Sequence, residues 1–139
     1  MPISLTDYWM GRDVLYPLQL DTATRRNAAI TVDLANRLLV LAKTAGVPLV
    51  ANAGGTLVNS GWRPPQVNAA TPGASPTSKH MTGQAIDIHD PAGALDRWLL
   101  ASPQPLIDLG LWQEHPDSTL HWCHVQTTPP RSGNRVFRP

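Results

Sequence analysis

The sequence is short of the features that mark several large protein classes. It contains a single cysteine, Cys123, so no disulfide can form within the chain. No run approaches the roughly 20 apolar residues that a transmembrane helix needs, and we therefore expect no membrane span. The formal net charge is only +1, which argues against nucleic acid as a partner, because nucleic-acid-binding proteins usually carry a strongly basic patch. The length of 139 residues suits a single compact domain over residues 1–139.

The N-terminus also lacks the basic segment and apolar stretch that begin a secretory signal. We therefore expect no signal peptide and synthesis in the cytoplasm, with the chain acting as a monomer. Proline, in contrast, is abundant, with 14 residues, which predicts long ordered loops between short elements.

The order of the predicted elements indicates an α+β domain, with a small, mostly antiparallel sheet and flanking helices. Residues 1–20 are predicted to form an N-terminal arm that packs its aromatic side chains on the domain. Residues 129–139 are predicted to form a solvated C-terminal tail. A helix should begin at Asp21 or Thr22 and run to about Ala45. Its apolar stripe is predicted to consist of Ile30, Leu34, Leu38 and Leu41.

Six further elements are predicted: strands over 47–53, 58–62 and 84–89, a helix over 92–101, and a β-hairpin of strands 109–115 and 120–126. Alternation in the third strand should place Asp87 on the face opposite Ile86 and Ile88. A hairpin turn at 116–119 would bring Glu114 across from His121.

Residues 78–87, Ser-Lys-His-Met-Thr-Gly-Gln-Ala-Ile-Asp, combine an imidazole and a carboxylate around a glycine. Gly83 permits a tight turn that would bring His80 back toward Asp87. A further imidazole, His124, lies on the predicted last strand. Hydrolytic zinc sites typically use three His or Asp/Glu ligands and keep a fourth position for water. Cys123 should point away from such a site as a small buried hydrophobe, because adjacent strand residues face opposite ways.

A third polar feature is Ser-Gly-Trp-Arg-Pro over residues 60–64, where Arg63 follows a predicted strand. The planar guanidinium of arginine suits a carboxylate or a peptide carbonyl of a substrate. A salt bridge from Arg63 to a loop carboxylate is the alternative interpretation.

Together these stretches resemble the M15 zinc peptidases. That family includes D-Ala-D-Ala carboxypeptidases and phage endolysin peptidases, and it shares a fold with the Hedgehog signalling domain. The similarity rests on Ser-x-His-x-x-Gly-x-Ala-x-Asp, on the later Trp-x-His, and on Ser-Gly-Trp-Arg-Pro-Pro, and it covers roughly residues 25–127. It implies Zn²⁺ on His80, Asp87 and His124.

The same resemblance implies that Arg63 lies near the substrate, where Ser60 or Ser78 would help to position it. The substrate class that it implies is the peptide stem of peptidoglycan. Phage-encoded members reach the cell wall through a lysis or virion-associated route, and we expect the same of this chain.

One position departs from the family pattern. Many M15 members carry Glu or Asp three residues before the last zinc ligand, as general base, and here that residue is His121. An imidazole can accept a proton near neutral pH, and Glu114 is the other candidate base.

The leading hypothesis is a zinc peptidase that hydrolyses an amide bond of stem peptides. The departure motivates a second, a non-catalytic zinc-containing module that binds the wall or builds a virion. A hydrolase of another small peptide or amide is the third.

Overall fold

A computed structural model describes residues 2–139, which form one mixed β-sheet with helices packed around it. The helices are α1 (Leu5–Trp9), α2 (Arg12–Leu15), α3 (Thr22–Thr44), α4 (Pro65–Ala70), α5 (Ala94–Ala101) and α6 (Gln104–Leu109). Short 3₁₀ turns occupy Pro17–Gln19, Lys79–Thr82 and Pro116–Ser118. The strands are β1 (Val58–Ser60), β2 (Ala85–His89), β3 (Trp112–Glu114), β4 (Trp122–Gln126) and β5 (Val136–Phe137).

The sheet has five strands in the order β1-β2-β4-β3-β5. All neighbouring strands are antiparallel except β3 and β5, which are parallel. The predicted α+β class with a mostly antiparallel sheet is therefore confirmed. Ile86 and Ile88 on β2, with Val125 on β4, are fully buried in a hydrophobic core that includes the inner face of α3. The opposite face of these two strands is left for polar residues.

The bounds predicted for the long helix are confirmed, whereas its predicted apolar stripe is wrong in part. Asp21 caps α3 by accepting a hydrogen bond from the Thr24 backbone N–H at 2.8 Å. Ile30 and Leu41 are 48% and 42% exposed. The buried face consists largely of small residues instead, namely Thr24, Ala28, Thr31, Val32, Ala35, Leu38, Leu39 and Ala42. Small side chains let the helix backbone approach the turn at residues 79–83 closely, and the Thr31 hydroxyl donates to the Gly83 carbonyl at 2.7 Å.

The strand predicted over 47–53 does not form. Pro48 offers no backbone donor to a neighbouring strand, and Val50 is half exposed. Asn52 then builds a turn, because its side-chain oxygen accepts from the backbone N–H groups of Gly54 and Thr56. The strand predicted at 58–62 does form, although it is limited to Val58–Ser60.

The predicted packing of the N-terminal aromatics is confirmed. Tyr8 is fully buried and its hydroxyl donates to the Ala85 carbonyl at 2.9 Å. Trp9 meets Trp62 edge to face, with ring centroids 6.0 Å apart. The contact with the domain is so close that a Cβ atom at position 61 would overlap the Tyr8 backbone. Only glycine fits at Gly61.

The C-terminal residues are only in part the solvated tail that was expected: residues 131–134 and 138–139 are exposed, whereas the segment between them is packed on the domain. Val136 and Phe137 form β5, and Phe137 is 8% exposed. The Phe137 ring also contacts His124 edge to face, at 6.3 Å between centroids. Arg135 lies 4.3 Å from the Trp112 ring centroid. The apolar Val-Phe pair adds a strand to the sheet, and this anchors the segment beside the candidate site.

Among residues 2–139, no helix is both long and apolar enough to cross a membrane.

Candidate metal centre

The three residues that resemble zinc ligands come together on the polar face of the sheet. Asp87 on β2 pairs with His124 on β4 across the antiparallel ladder, so both side chains project to the same side. His80 arrives from the Lys79–Thr82 turn, which ends at Gly83 with φ +74°. A Cβ at Gly83 would lie 2.8 Å from the Thr24 carbonyl oxygen. The position therefore requires glycine both for its left-handed backbone and for its contact with α3.

His80, Asp87 and His124 are buried, at 2%, 6% and 8% exposure. Asp87 Oδ1 lies 3.2 Å from His80 Nε2 and 2.8 Å from His124 Nδ1. All three candidate ligand atoms lie within 4.8 Å of one another. Ligands of a tetrahedral zinc ion at about 2.0–2.1 Å are separated by roughly 3.3 Å. The cluster can therefore hold a metal ion after small shifts of its side chains.

The remaining ring nitrogens fix which nitrogen of each imidazole carries a proton. His80 Nδ1 lies 2.8 Å from the Gly61 carbonyl oxygen, which can only accept, so this nitrogen is the donor. His124 Nε2 lies 3.0 Å from Gln126 Oε1. Gln126 Nε2 donates to the Thr128 carbonyl, which keeps its oxygen turned toward His124, and Nε2 of His124 is therefore also a donor. Hydrogen bonds of this kind hold metal-binding histidines in the required tautomer.

As a consequence, each neutral ring directs a lone pair at the Asp87 carboxylate, and these contacts favour a cation among the three groups. Burial lowers the pKa of His80, despite the nearby Asp87 charge, so this ring is neutral near pH 7. Burial also acts to lower the pKa of His124, but the Asp87 hydrogen bond and charge raise it overall. Burial would raise the pKa of Asp87, and the two imidazoles more than reverse this, so the carboxylate stays ionised. A metal ion fits the donor set and its protonation.

The second oxygen of Asp87 is held by Arg63. Arg63 Nη2 lies 3.2 Å from Asp87 Oδ2, and its Nε donates to the Ser60 hydroxyl at 2.9 Å. Arg63 therefore makes the salt bridge that was the alternative interpretation, although its partner is the candidate ligand rather than a loop carboxylate. This arrangement leaves Oδ1 of Asp87 directed at the two histidines. Ser60 in turn orients the guanidinium.

Glu114 lies beside the cluster, but not in the position that was predicted. β3 and β4 pair Gln113 with Val125, so Glu114 lies near His124 and the expected pairing with His121 is wrong. Glu114 Oε2 is 3.8 Å from His124 Nδ1. Burial raises the pKa of Glu114, and the His124 charge opposes this only in part. Glu114 is therefore a carboxylate that lies next to the three candidate ligands without being one of them.

His121 does not reach the cluster. It has a left-handed backbone with φ +75°, and its exposed ring contacts the Pro91 carbonyl through Nδ1 at 3.1 Å. The expectation of a histidine base beside the metal ligands is thus not supported by this geometry. Cys123 is buried in the core, behind the face that carries His124, as the strand alternation predicted.

A cavity of about 1230 Å³ opens over the cluster. Ser60, Arg63, Ser78 and Glu114 all line it, together with the C-terminal segment that includes Phe137. Ser78 has a structural task as well, because its hydroxyl accepts from the His80 backbone N–H at 3.3 Å and caps the turn. The cavity is large enough for several residues of an extended peptide.

Comparison with known proteins supplies the family. A sequence model described as Peptidase M15 matches residues 20–104, more than half of the chain. The chain belongs to the peptidase M15 family. Searches of curated proteins and of solved structures give no match. The matched segment of this M15 protein contains His80 and Asp87, whereas Glu114 and His124 lie beyond it. The sheet joins the two parts, since β2 carries Asp87 and β4 carries His124.

Two cavity residues of the M15 protein escaped the sequence reasoning. Gln126 follows His124 by two residues on the same strand face, and the period of two along a strand is the sequence signal that marks it. Arg12 belongs to the N-terminal arm and reaches the cavity only through the tertiary fold. No local pattern marks Arg12 as a site residue.

Proposed function

We propose that this M15 protein is a zinc-dependent peptidase that hydrolyses an amide bond in peptidoglycan stem peptides. The observation that carries the proposal is the convergence of His80 Nε2, Asp87 Oδ1 and His124 Nδ1 beside Glu114. Two imidazoles and one carboxylate match the ligand set of hydrolytic zinc sites, which keep one position open. The protein would act as a monomer and reach the cell wall through a lysis or virion-associated route.

Zinc, when bound, supplies Lewis acidity that polarises the scissile carbonyl and lowers the pKa of water. Glu114 accepts a proton from the attacking water and returns it to the leaving amine. Its half-buried position beside the ligands suits this role, because burial raises the pKa of the carboxyl toward neutrality. His80 and His124 keep their donor nitrogens on Gly61 and Gln126 throughout.

Arg63 positions two partners in this proposal. Its Nη2 and Nε atoms hold Asp87 and Ser60, and the side chain also lines the cavity. No hydrogen bond to Nη1 occurs among residues 2–139. That nitrogen is available to donate to a carbonyl of the substrate, which would orient the bond to be cut.

Zinc binding should release a proton from His124. Because Asp87 raises the pKa of this imidazole, the ring is protonated below that pKa and must lose the proton to bind metal. At about pH 6 we expect His124 to release about one proton per zinc, and this contribution from His124 should fall toward zero as the pH rises through its raised pKa. Apparent zinc affinity should rise with pH over the same window and then level off. Calorimetric titration in buffers of different ionisation enthalpy measures the proton count.

A matched control is His121→Gln, which removes an exposed imidazole outside the cluster and should leave the proton count unchanged. His80 should contribute no proton near neutrality, because its pKa is already lowered. A binding enthalpy that is independent of the buffer at about pH 6 would refute the assignment of His124 as a ligand.

The substrate class is tested by incubating the zinc-loaded protein with purified peptidoglycan and measuring newly released amines. We expect sustained release, at a rate proportional to protein concentration, that a chelator abolishes and added zinc restores. Sedimentation with the wall material but no amine release would instead favour the non-catalytic wall-binding module. Cleavage of unrelated peptides with no action on the wall would favour the third hypothesis.

A further inference from the structure

The N-terminal arm contributes a charged residue to the wall of the cavity. Arg12 begins α2 and lines the cavity that opens over the metal cluster. Its Nη1 donates to the Trp62 carbonyl at 2.8 Å, which fixes the guanidinium next to the backbone that carries Arg63. The family match begins at residue 20, so Arg12 lies outside the matched segment.

Arg12 has no acidic partner to balance its charge. Among residues 2–139, no carboxylate oxygen lies within 4.0 Å of its guanidinium, and Asp87 is engaged by Arg63. Burial, followed by the charge of Arg63, lowers the pKa of Arg12. Two neighbouring guanidinium groups repel each other, and an anionic ligand would relieve that repulsion.

The charge of the whole cavity points the same way. The chain has 11 Lys and Arg and 10 Asp and Glu, for a net charge of +1. Five of the basic residues line the cavity but only two of the acidic ones, Asp87 and Glu114. A metal ion would add further positive charge. A cleft lined by one sign of charge concentrates ligands of the opposite sign.

We propose that Arg12 binds a carboxylate of the peptide substrate, on the Arg63 side of the cavity. The inference rests on the proposed function, because it names a group of the substrate that the same site would recognise. The Nε and Nη2 groups of Arg12, which do not donate to Trp62, suit a carboxylate, because arginine binds carboxylates through paired N–H groups. Arg12 would be a specificity-determining residue, and the proton transfer would remain with Glu114.

A merely structural role for Arg12 makes a different prediction. If its only task were to satisfy the Trp62 carbonyl, its loss would weaken all ligands alike, or none. A role in recognition couples the loss to one group of the ligand. The test therefore varies the protein and the ligand together, as in a double-mutant cycle.

The ligands are a synthetic stem pentapeptide with free carboxylates on its glutamate and its C-terminus, and two forms in which either carboxylate is replaced by an amide. Affinities are measured for zinc-loaded Glu114→Gln protein, in which cleavage is suppressed, with and without Arg12→Gln. Arg12→Lys keeps the charge, and Arg26→Gln removes the same charge from an exposed helix position. Thermal unfolding verifies that each variant is folded.

We expect Arg12→Gln to weaken the free-carboxylate peptide by about tenfold or more. One of the two amide forms should show no further loss, which identifies the carboxylate that Arg12 binds. Arg12→Lys should recover part of the affinity, and Arg26→Gln should change nothing. Equal weakening of all three peptides, or no weakening, overturns the role of Arg12 and leaves the proposed function standing. Failure of the parent Glu114→Gln protein to bind any of the peptides overturns both.

Discussion

Replacing Glu114 with glutamine should lower kcat for stem-peptide hydrolysis by about 10²–10⁴-fold, the usual contribution of a general base. Glutamine has nearly the same shape but cannot accept the proton of the attacking water. Zinc content should stay at the wild-type value, because Glu114 Oε2 lies 3.8 Å from His124 Nδ1 and is not one of the three candidate ligands. Steady-state kinetics together with elemental analysis of the same preparation measure both quantities.

The rival base provides the control. His121→Gln removes the imidazole at the position where many M15 members carry their carboxylate, and we expect it to retain wild-type kcat, because the ring contacts Pro91 outside the cavity. A large loss in His121→Gln with near-normal activity in Glu114→Gln would reverse the assignment. Wild-type kcat in both variants would exclude both residues as the base.

His80→Ala should weaken zinc binding by more than about 100-fold, the upper end of what loss of a supporting hydrogen bond costs at a metal site. Two protein ligands remain, and the buried Asp87 then keeps only one imidazole next to Oδ1. Elemental mass spectrometry should find about one zinc per chain in the wild type and almost none in the variant after dialysis.

Two further variants calibrate that loss. His115→Ala removes a partly exposed imidazole outside the cluster that contacts Asp117 and Arg138. This variant should keep its zinc. Gln126→Leu removes the hydrogen-bond acceptor of His124 Nε2 and should lower the affinity for zinc by about 10–100-fold. Full zinc in a folded His80→Ala protein, verified by its thermal unfolding, would show that His80 is not a ligand.

The sequence predicted those parts of the site that depend on local geometry. His80, Gly83 and Asp87 lie within one turn and the strand after it, so their proximity follows from short-range backbone preferences. His124 was assigned to the same site through the resemblance to the M15 peptidases, because strand alternation by itself only places it on the face opposite Cys123. These are the same residues that the structure brings together.

Long-range register was beyond the reach of the same reasoning. The strand partner of Glu114 depends on the conformation of the chain between β3 and β4, which includes the Pro116–Ser118 turn. It also depends on the register that pairs Gln113 with Val125. A sequence pattern that fixes alternation leaves the offset between two strands open. The prediction of the buried face of α3 was wrong for a related reason. The Gly83 turn lies close to the helix, and this contact selects small buried residues over Ile30.

The close contact of Gly61 with Tyr8 links the N-terminal arm to the candidate metal centre. The Gly61 carbonyl holds His80 Nδ1, while its Cα faces the Tyr8 backbone with no room for a side chain. The Trp62 N–H also donates to the Tyr8 carbonyl at 3.2 Å. Residues ahead of the family match therefore support the backbone that holds His80, a candidate metal ligand. The family match begins at residue 20, and a boundary drawn there would remove the Tyr8 backbone that packs against Gly61 beside the candidate metal centre.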